Sequence, residues 1–175
     1  MRLKNKTVAL LLEDLYNEQE FWYPFYRLQE EGAKVVVAGP TAGKTHHGKT
    51  GLAATAGAAF GDLRASDLDG VVIPGGYAPD RIRRSPEALA LVRDLDAAGK
   101  LVAHICHAGW VPISAGIMKG RTTTSYSAIK DDLVNAGALW VDEAVVVDGN
   151  MVSSRTPDDL PDFMRAVIEV LAGGR

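Results

Sequence analysis

Cys106 is the only cysteine in the 175-residue sequence, and it stands where an apolar run, Lys100 to Cys106, gives way to His107 and a helix-like segment. A side chain at the tip of a strand that leads into a helix lies near free backbone N–H groups and the positive end of the helix dipole. Both favour an anion, so the sequence predicts a lowered pKa for this thiol and a reactive thiolate nucleophile. The alternative is a small buried core residue, which is common for a lone cysteine after an apolar run.

Two glycines end another apolar run, Gly70 to Pro74, and they are candidates for a second part of such a site. Backbone N–H groups at Gly75 and Gly76 can approach a substrate closely, so they could form an oxyanion hole beside Cys106. A simple turn is the alternative for the same glycines. His107 follows the thiol directly, and it can act as a general base only if the turn directs its ring toward the sulfur or toward a carboxylate.

Glu20 is a candidate proton carrier because it precedes an aromatic stretch, Phe21 to Tyr26, in a predicted helix. A carboxyl group beside that much apolar surface has a raised pKa, and it could share a proton with a thiolate. A solvated glutamate that complements the dipole at the start of a helix is the alternative. His104, two residues before the cysteine, is expected to pack in or near the sheet.

A nucleotide-binding signature is also present in the letters of the sequence. Gly43 to Thr50 fits the pattern GxxxxGK[ST], and Ala144 to Asp148 resembles the apolar strand with an aspartate that accompanies it. A phosphate loop needs a helix directly after it, whereas Gly51 to Gly61 is rich in glycine, so phosphate binding is the least favoured interpretation. His46 and His47 have no third ligand nearby in sequence, so the sequence predicts no metal site.

The elements that must position these residues follow a βαβ rhythm. Four continuous apolar runs predict strands that are buried on both faces, as in a parallel sheet covered by helices: Thr7 to Leu12, Lys34 to Ala38, Gly70 to Pro74 and Lys100 to Cys106. The predicted helices are Glu18 to Glu31, Ser85 to Ala98, Ala108 to Met118, Ser127 to Ala136 and Asp158 to Leu171. Because open α/β sheets place their chemistry at the carboxyl ends of strands, we expect Leu12 to Asp14, Pro74 to Gly76 and Cys106 to converge at one edge.

Two segments depart from this rhythm. Trp140 to Asp148 and Met151 to Arg155 flank the turn residues Asp148, Gly149 and Asn150, which predicts an antiparallel hairpin. Thr41 to Gly61 is rich in Gly, Ala and Thr, which predicts a loop or an edge hairpin. We find no linker or repeat, so residues 1–175 are predicted to form a single domain.

Composition excludes several classes of partner. The net charge is −3 and apolar residues make up 47% of the chain, so neither a nucleic-acid footprint nor a polybasic membrane surface is indicated. The apolar part of the first fifteen residues is too short for a signal peptide, and no segment reads as a membrane span. With only one cysteine, these features predict a protein of the reducing cytoplasm.

Five segments together carry a family pattern: EFWYPFYRLQEEG (Glu20 to Gly32), VVIPGGYAPDRIR (Val71 to Arg83), AHICHAG (Ala103 to Gly109), ISAGIMKGRTTTSY (Ile113 to Tyr126) and Lys130 to Phe163. In this order they resemble the ThiJ/PfpI superfamily, and within it the PfpI-like branch of intracellular proteases and deglycases. The resemblance covers nearly the whole length of the chain. It implies a flavodoxin-like three-layer sandwich with a mostly parallel central sheet and a small antiparallel hairpin, in a domain similar to those of class I glutamine amidotransferases.

The resemblance also implies roles for individual residues. It makes Cys106 the nucleophile in a strained elbow, with Glu20 hydrogen-bonded to its sulfur. It places an oxyanion site at the backbone N–H groups of Gly76 and His107, and Tyr126 in the pocket beside the cysteine.

A second subunit is part of what the resemblance implies. In PfpI-like members a carboxylate from a neighbouring subunit completes the histidine, and the matching position here is Asp80, where the family usually has Glu. We therefore expect a homodimer or a larger assembly with a shared active site. Asn17 occupies a position that is often acidic, and His104 one that is commonly small.

The leading hypothesis is a stress-protective, cofactor-independent cysteine hydrolase that acts on glyoxal, methylglyoxal or their early glycation adducts, as a deglycase or glyoxalase. Its partners would be small carbonyl compounds or glycated proteins and peptides, with no metal, nucleic acid or membrane involved. An intracellular cysteine peptidase of the PfpI type is the alternative and would use the same groups. A non-enzymatic redox sensor or chaperone, in which Cys106 is simply oxidised, is a further alternative.

Overall fold

A computed structural model describes residues 1–173, which contain eleven strands and six α-helices. The strands are β1 (Thr7–Leu11), β2 (Lys34–Gly39), β3 (Thr45–His47), β4 (Ala53–Thr55), β5 (Ala58–Ala59), β6 (Gly70–Ile73), β7 (Leu101–Ile105), β8 (Thr122–Thr123), β9 (Leu139–Trp140), β10 (Val145–Asp148) and β11 (Met151–Ser154). The helices are α1 (Glu18–Glu30), α2 (Ala78–Ile82), α3 (Pro86–Ala97), α4 (Trp110–Ala115), α5 (Lys130–Asn135) and α6 (Leu160–Leu171).

Seven strands within residues 1–173 form the central sheet, in the order β10–β11–β7–β6–β1–β2–β5. Every neighbouring pair is parallel except β10 and β11, which form the antiparallel hairpin that the turn residues predicted. The register sets Ala9 in β1 beside Val36 in β2 and Val71 in β6. The central strands are buried along their whole length, which is why their sequences are continuously apolar.

Helices cover the sides of this sheet, as expected for a flavodoxin-like sandwich. Helix α1 packs against α6, and α3 packs against α4. Glycines end the predicted helices where the chain turns left-handed, with φ of 90° at Gly32, 67° at Gly99 and 88° at Gly137. Asn17 caps α1 by accepting hydrogen bonds from two backbone N–H groups of its first turn, and Ser85 caps α3.

Two helices differ most clearly from the predicted elements. The helix expected from Ala108 onward begins only at Trp110, because Cys106–Gly109 forms a tight 3-10 turn first. Helix α2 was not predicted, since five residues around a proline carry no clear period. No helix follows Thr50, where the chain instead makes a turn into β4, so the phosphate-loop interpretation is wrong.

None of the helices within residues 1–173 has both the length and the apolar character that crossing a membrane requires.

Candidate active site

The carboxyl ends of three neighbouring strands meet at one edge of the sheet, as the βαβ pattern predicted. A backbone bridge joins Tyr16, after β1, to Gly76, after β6, and Cys106 follows β7 directly. A cavity of about 330 Å³ opens at this junction. It is lined by Asn17, Glu20, Lys49, Gly76, Tyr77, Cys106, His107, Tyr126, Thr156 and Pro157.

Cys106 occupies a strained elbow. Its φ is 62°, in the left-handed region that residues other than glycine seldom adopt, and holding it there costs on the order of 1–3 kcal/mol. The carbonyl of Cys106 accepts a hydrogen bond from the N–H of Tyr126 at 3.3 Å, which ties the elbow to the following segment. The turn brings the thiol to the floor of the cavity, where the residue is 8% exposed.

Gly75 makes room for the carboxyl group that faces this elbow. A Cβ at this position would lie 2.5 Å from Glu20 Oε2 and 2.7 Å from the Cβ of Cys106, so no side chain fits. The N–H of Gly75 donates to Glu20 Oε2 at 2.7 Å. The next residue, Gly76, has a φ of 80°, and its N–H and that of His107 both point at the sulfur of Cys106.

Glu20 is completely buried, although it lies in the first turn of α1. Burial raises the pKa of Glu20 to about 7, against the opposite effects of the Gly75 N–H and the neighbouring Cys106 side chain. The solvated glutamate considered from the sequence is therefore wrong, and the raised pKa expected for this carboxyl is confirmed.

Against an ionised Glu20, the lowered pKa expected for the thiol is wrong. Burial and the charge of Glu20 raise the pKa of Cys106 to about 12, and the N–H groups of His107 and Gly76 offset only part of this. The sequence indicates a turn and a helix dipole, but it does not indicate how deeply the sulfur lies or that an acid faces it.

Burial is the largest cause of both raised pKa values, and the charge of Glu20 adds to the rise at Cys106. Two neighbouring buried acids do not both lose their protons near neutral pH. Once the first proton has left, a single negative charge belongs to the pair. Two backbone N–H groups are directed at the sulfur, so the form with a thiolate and a protonated Glu20 is a stabilised arrangement of that charge. A thiolate at Cys106 therefore depends on the carboxyl group that receives its proton.

His107 lies beside the sulfur, with Nδ1 at 3.3 Å from Cys106 Sγ. Its ring stacks on Tyr126 at 5.1 Å and meets the edge of Trp110 at 5.2 Å. Burial and the charge of Lys49 lower the pKa of His107, so its ring is neutral near pH 7 and can accept a proton.

Asp80 does not complete this histidine within the chain. It is exposed on α2, and His107 makes no hydrogen bond or ion pair with any carboxylate of residues 1–173. The structure therefore brings together Cys106, Glu20, Gly75, Gly76, His107 and Tyr126 from the residues predicted for the site, and it leaves Asp80 apart from them.

Lys49 is a site residue that the sequence analysis missed. Its ammonium group lies 5.4 Å from the centre of the Tyr77 ring, on the wall of the cavity, and its charge lowers the pKa of both Glu20 and His107. This lysine is the central residue of the tripeptide Gly48–Lys49–Thr50, which ends the apparent phosphate-loop motif. The turn after β3 carries it to the cysteine, where it adds the positive charge of the pocket.

His104 packs within the sheet, as expected. It is fully buried on β7, with Nε2 at 3.4 Å from the hydroxyl of Thr123, and burial lowers its pKa to about 4. The ring is therefore neutral at physiological pH and forms part of the support beneath the elbow.

Known proteins resemble this chain over nearly its whole length. A deglycase of Pyrococcus abyssi is 44% identical over 94% of this chain and 98% of its own. A candidate cysteine protease of Bacillus subtilis is 38% identical over 95% of this chain and 99% of its own.

A solved structure from Anabaena variabilis, of a two-domain protein with DJ-1/ThiJ/PfpI-like and ferritin-like domains, superposes with a TM-score of 0.94 at 41% identity. The alignment covers 97% of this chain and about half, 49%, of that longer one. The model of the DJ-1/PfpI family matches residues 6–170. With the strained cysteine, the buried glutamate and these matches, the chain belongs to the DJ-1/PfpI family.

Proposed function

We propose that this protein is a stress-protective, cofactor-independent cysteine hydrolase that acts on glyoxal, methylglyoxal or their early adducts with amines. The observation that carries the proposal is the buried pair of Cys106 and Glu20, which lies beneath two backbone N–H groups. The cavity of about 330 Å³ suits a small dicarbonyl compound. A relative at 44% identity is named a deglycase, which supports the same class of substrate.

The reaction begins when the thiolate of Cys106 adds to the aldehyde carbon of methylglyoxal. A C–S bond forms, the carbonyl π bond breaks, and the electron pair moves to oxygen. The N–H groups of Gly76 and His107 point to this region and would stabilise the oxyanion, which then takes a proton. The product of this step is a hemithioacetal.

Glu20 would carry the second step. In its ionised form it removes the proton from the carbon bonded to sulfur, and a proton is returned to the neighbouring carbon. The first carbon becomes a thioester as the second becomes an alcohol, so the substrate oxidises and reduces itself and no external electron acceptor is used. A pKa of about 7 suits a group that must both take and give a proton near neutral pH.

His107 would assist the last step, in which water attacks the thioester and Cys106 leaves as thiolate. Its neutral ring lies 3.3 Å from the sulfur and can accept the proton of that water. We propose that Asp80 of a second copy of the chain orients this ring, in a homodimer or a larger assembly. The products are lactate from methylglyoxal and, from a glycation adduct, a hydroxy acid and the free amine.

The test compares three activities of purified wild type and Cys106→Ser: lactate from methylglyoxal, amine release from glycated lysine, and cleavage of unstructured peptides. We expect the wild type to form lactate or release amine, and we expect Cys106→Ser to lose at least about a thousandfold of that rate. Wild type alkylated with iodoacetamide is the matched control, because the chain has a single cysteine. Equal turnover by Cys106→Ser would overturn the proposal.

A cysteine peptidase is the second candidate, and the relative in Bacillus subtilis is the observation that favours it. Cleavage of peptides that exceeds the turnover of dicarbonyl compounds would establish it in place of the first. No turnover of any substrate, combined with protection of cells by Cys106→Ser, would overturn both enzyme proposals. A chain with a lone thiol suits the reducing cytoplasm, which is the compartment we propose for each of these activities.

A further inference from the structure

A second cluster of ionisable side chains lies near the end of β1, outside the cavity of Cys106. Glu13 and Asp14 follow this strand directly, and His46 is the central residue of β3. His46 Nδ1 lies 3.0 Å from Glu13 Oε1 and 3.4 Å from Asp14 Oδ1. We propose that these three side chains bind a divalent transition-metal cation of the zinc class.

The burial of His46 points to a ligand. The residue has no exposed surface, yet neither of its ring nitrogens makes a hydrogen bond of acceptable geometry with any of residues 1–173. Buried polar atoms in folded proteins nearly always have a partner, so an imidazole left in this state is unusual. Its Nδ1 faces the two carboxylates, which is the arrangement that a shared cation requires.

The spacing of the three ligand atoms fits such a cation. They all lie within 4.8 Å of one another. Zinc holds nitrogen and oxygen ligands at about 2.0–2.2 Å, which separates neighbouring ligands by about 3.0 Å in an octahedral site and about 3.4 Å in a tetrahedral one. The two distances from His46 match these edges. An imidazole among the ligands favours a transition metal such as zinc over magnesium and calcium, which prefer oxygen alone.

Backbone groups already orient both carboxylates. Glu13 Oε1 accepts a hydrogen bond from the N–H of Asp14 at 2.8 Å, and Asp14 Oδ1 accepts one from the N–H of His47 at 3.1 Å. Hydrogen bonds of this kind fix the direction of a metal ligand without using all of its lone pairs.

Positive groups around the cluster set how tightly a cation can bind. Lys44 Nζ lies 4.0 Å from Asp14 Oδ2, and Arg81 and Arg84 line the adjoining cavity of about 300 Å³ with Glu13. These charges favour ionised carboxylates but repel a divalent cation. Removal of Lys44 should therefore tighten binding, whereas removal of a ligand should weaken it, and a simple ion pair within the cluster predicts neither result.

A bound cation would also fix one part of the fold to another. His46 belongs to the β3–β4 hairpin, and Glu13 and Asp14 belong to the end of the central strand β1. Binding to the folded state alone raises thermal stability, so the metal would protect the hairpin that carries Lys49 to the active site.

The test titrates Zn²⁺ and Co²⁺ into full-length protein treated with a chelator, in a Cys106→Ser background so that the thiol cannot bind metal. Calorimetry gives the affinity, the visible absorption of Co²⁺ reports its coordination, and the melting temperature reports stabilisation. We expect one cation per chain, weakened at least about tenfold by Glu13→Gln or Asp14→Asn. We expect Lys44→Met to tighten binding and His46→Gln to abolish it.

His47→Ala is the matched control, because His47 is an exposed neighbour whose side chain lies outside the cluster. We expect its affinity to equal that of the parent. Loss of binding in His47→Ala but not in Glu13→Gln would show an adventitious surface site and overturn the proposal. Absence of one-to-one binding in the parent would overturn it as well. Glu13→Gln keeps shape and volume, so the test stands even where His46→Gln fails to fold.

Discussion

The Cys106 pocket and the His46 cluster both bury an ionisable side chain against carboxyl groups near the ends of the strands, but they differ in what the carboxyl faces. Glu20 faces a thiol, which is another acid, so burial leaves the pair with one proton to share. Glu13 and Asp14 face an imidazole, which is a base with a lone pair to donate. The first arrangement suits the proposed nucleophile, and the second suits the proposed set of metal ligands.

The surroundings of the two sites sharpen this difference. Two backbone N–H groups point at the sulfur of Cys106, and in the proposed reaction they would stabilise the anion that forms there. Around His46 the neighbouring groups are charged side chains, including Lys44 and Arg81, rather than backbone dipoles. Their positive charges would weaken the binding of a cation. Burial of an ionisable group therefore indicates function only together with the acid or base character of its partner.

The largest effect on activity should come from replacing Glu20, the carboxyl group that shares a proton with Cys106. Glu20→Gln keeps the shape of the side chain but can neither receive the proton of the thiol nor remove one from the substrate. We expect kcat/KM for methylglyoxal to fall by about 10²–10⁴-fold. Glu169→Gln, which changes an exposed carboxylate on α6, is the control and should retain the wild-type rate. A fall of less than threefold in Glu20→Gln would mean that the carboxyl carries no proton in the reaction.

The pH dependence of stability should show the same proton. The pKa of Glu20 is about 7 in the folded protein and 4.5 in the unfolded chain. Between these two pH values the folded protein therefore binds more protons than the unfolded chain. This contribution is fully present below pH 4.5 and is lost as pH rises through about 7. Chemical denaturation at a series of pH values should show the stability of wild type relative to Glu20→Gln falling by about 3 kcal/mol across this interval.

His104 should give the free energy of unfolding a pH dependence of the opposite sign. Its pKa of about 4, below the usual 6.5, gives a contribution that is present above pH 6.5 and lost as pH falls through about 4. Wild type should therefore show a weaker overall slope than either Glu20→Gln or His104→Asn. Parallel plots of stability against pH for wild type and Glu20→Gln would show that folding does not raise the pKa of Glu20.

A side chain at Gly75 should change stability less than the titration of Glu20 does. An added methyl group would press on Glu20 Oε2 and on the Cβ of Cys106, so we expect Gly75→Ala to cost about 1–3 kcal/mol and to reduce turnover by displacing the carboxyl. Gly57→Ala is the matched control, since the nearest atom to its Cβ would be 3.7 Å away. Equal stability and equal turnover in the two variants would contradict the tight fit described for Gly75.

The smallest effect should come from Lys49. Its ammonium lowers the pKa of Glu20 and His107 from the wall of the pocket, so Lys49→Met should raise both. Because the group is exposed and screened by solvent, we expect a shift of a few tenths of a pH unit, on the order of 0.3, in the acidic limb of kcat/KM. An unchanged pH profile would leave Lys49 without an electrostatic role in the site.

Much of the fold was predictable from sequence because the central strands are buried on both faces. Continuous apolar runs marked four strands to within about two residues, and Gly32, Gly99 and Gly137 marked three helix ends. The helix after Cys106 was predicted too long, since local periodicity does not reveal that the chain first makes a 3-10 turn and that Gly116, with a φ of 77°, ends the helix.

The candidate site was predictable in its residues but not in its energetics. Cys106, Gly76 and Glu20 follow from strand ends and from the family pattern, whereas the raised pKa of the thiol follows from depth and from the facing acid, which only the fold determines. Lys49 and the His46 cluster were missed for a related reason. Their partners lie about thirty residues away in the chain, at Tyr77, Glu13 and Asp14, so local spacing carries no signal of them.

The rate of alkylation of Cys106 by iodoacetamide as a function of pH tests the shared proton most directly, because no other cysteine contributes to the signal. In wild type we predict a rise with an inflection at or below about pH 7, where the pair loses its first proton, followed by a plateau. Glu20→Gln should lose this inflection and react only as pH approaches the raised pKa of an isolated buried thiol. Identical profiles for the two proteins would contradict the account.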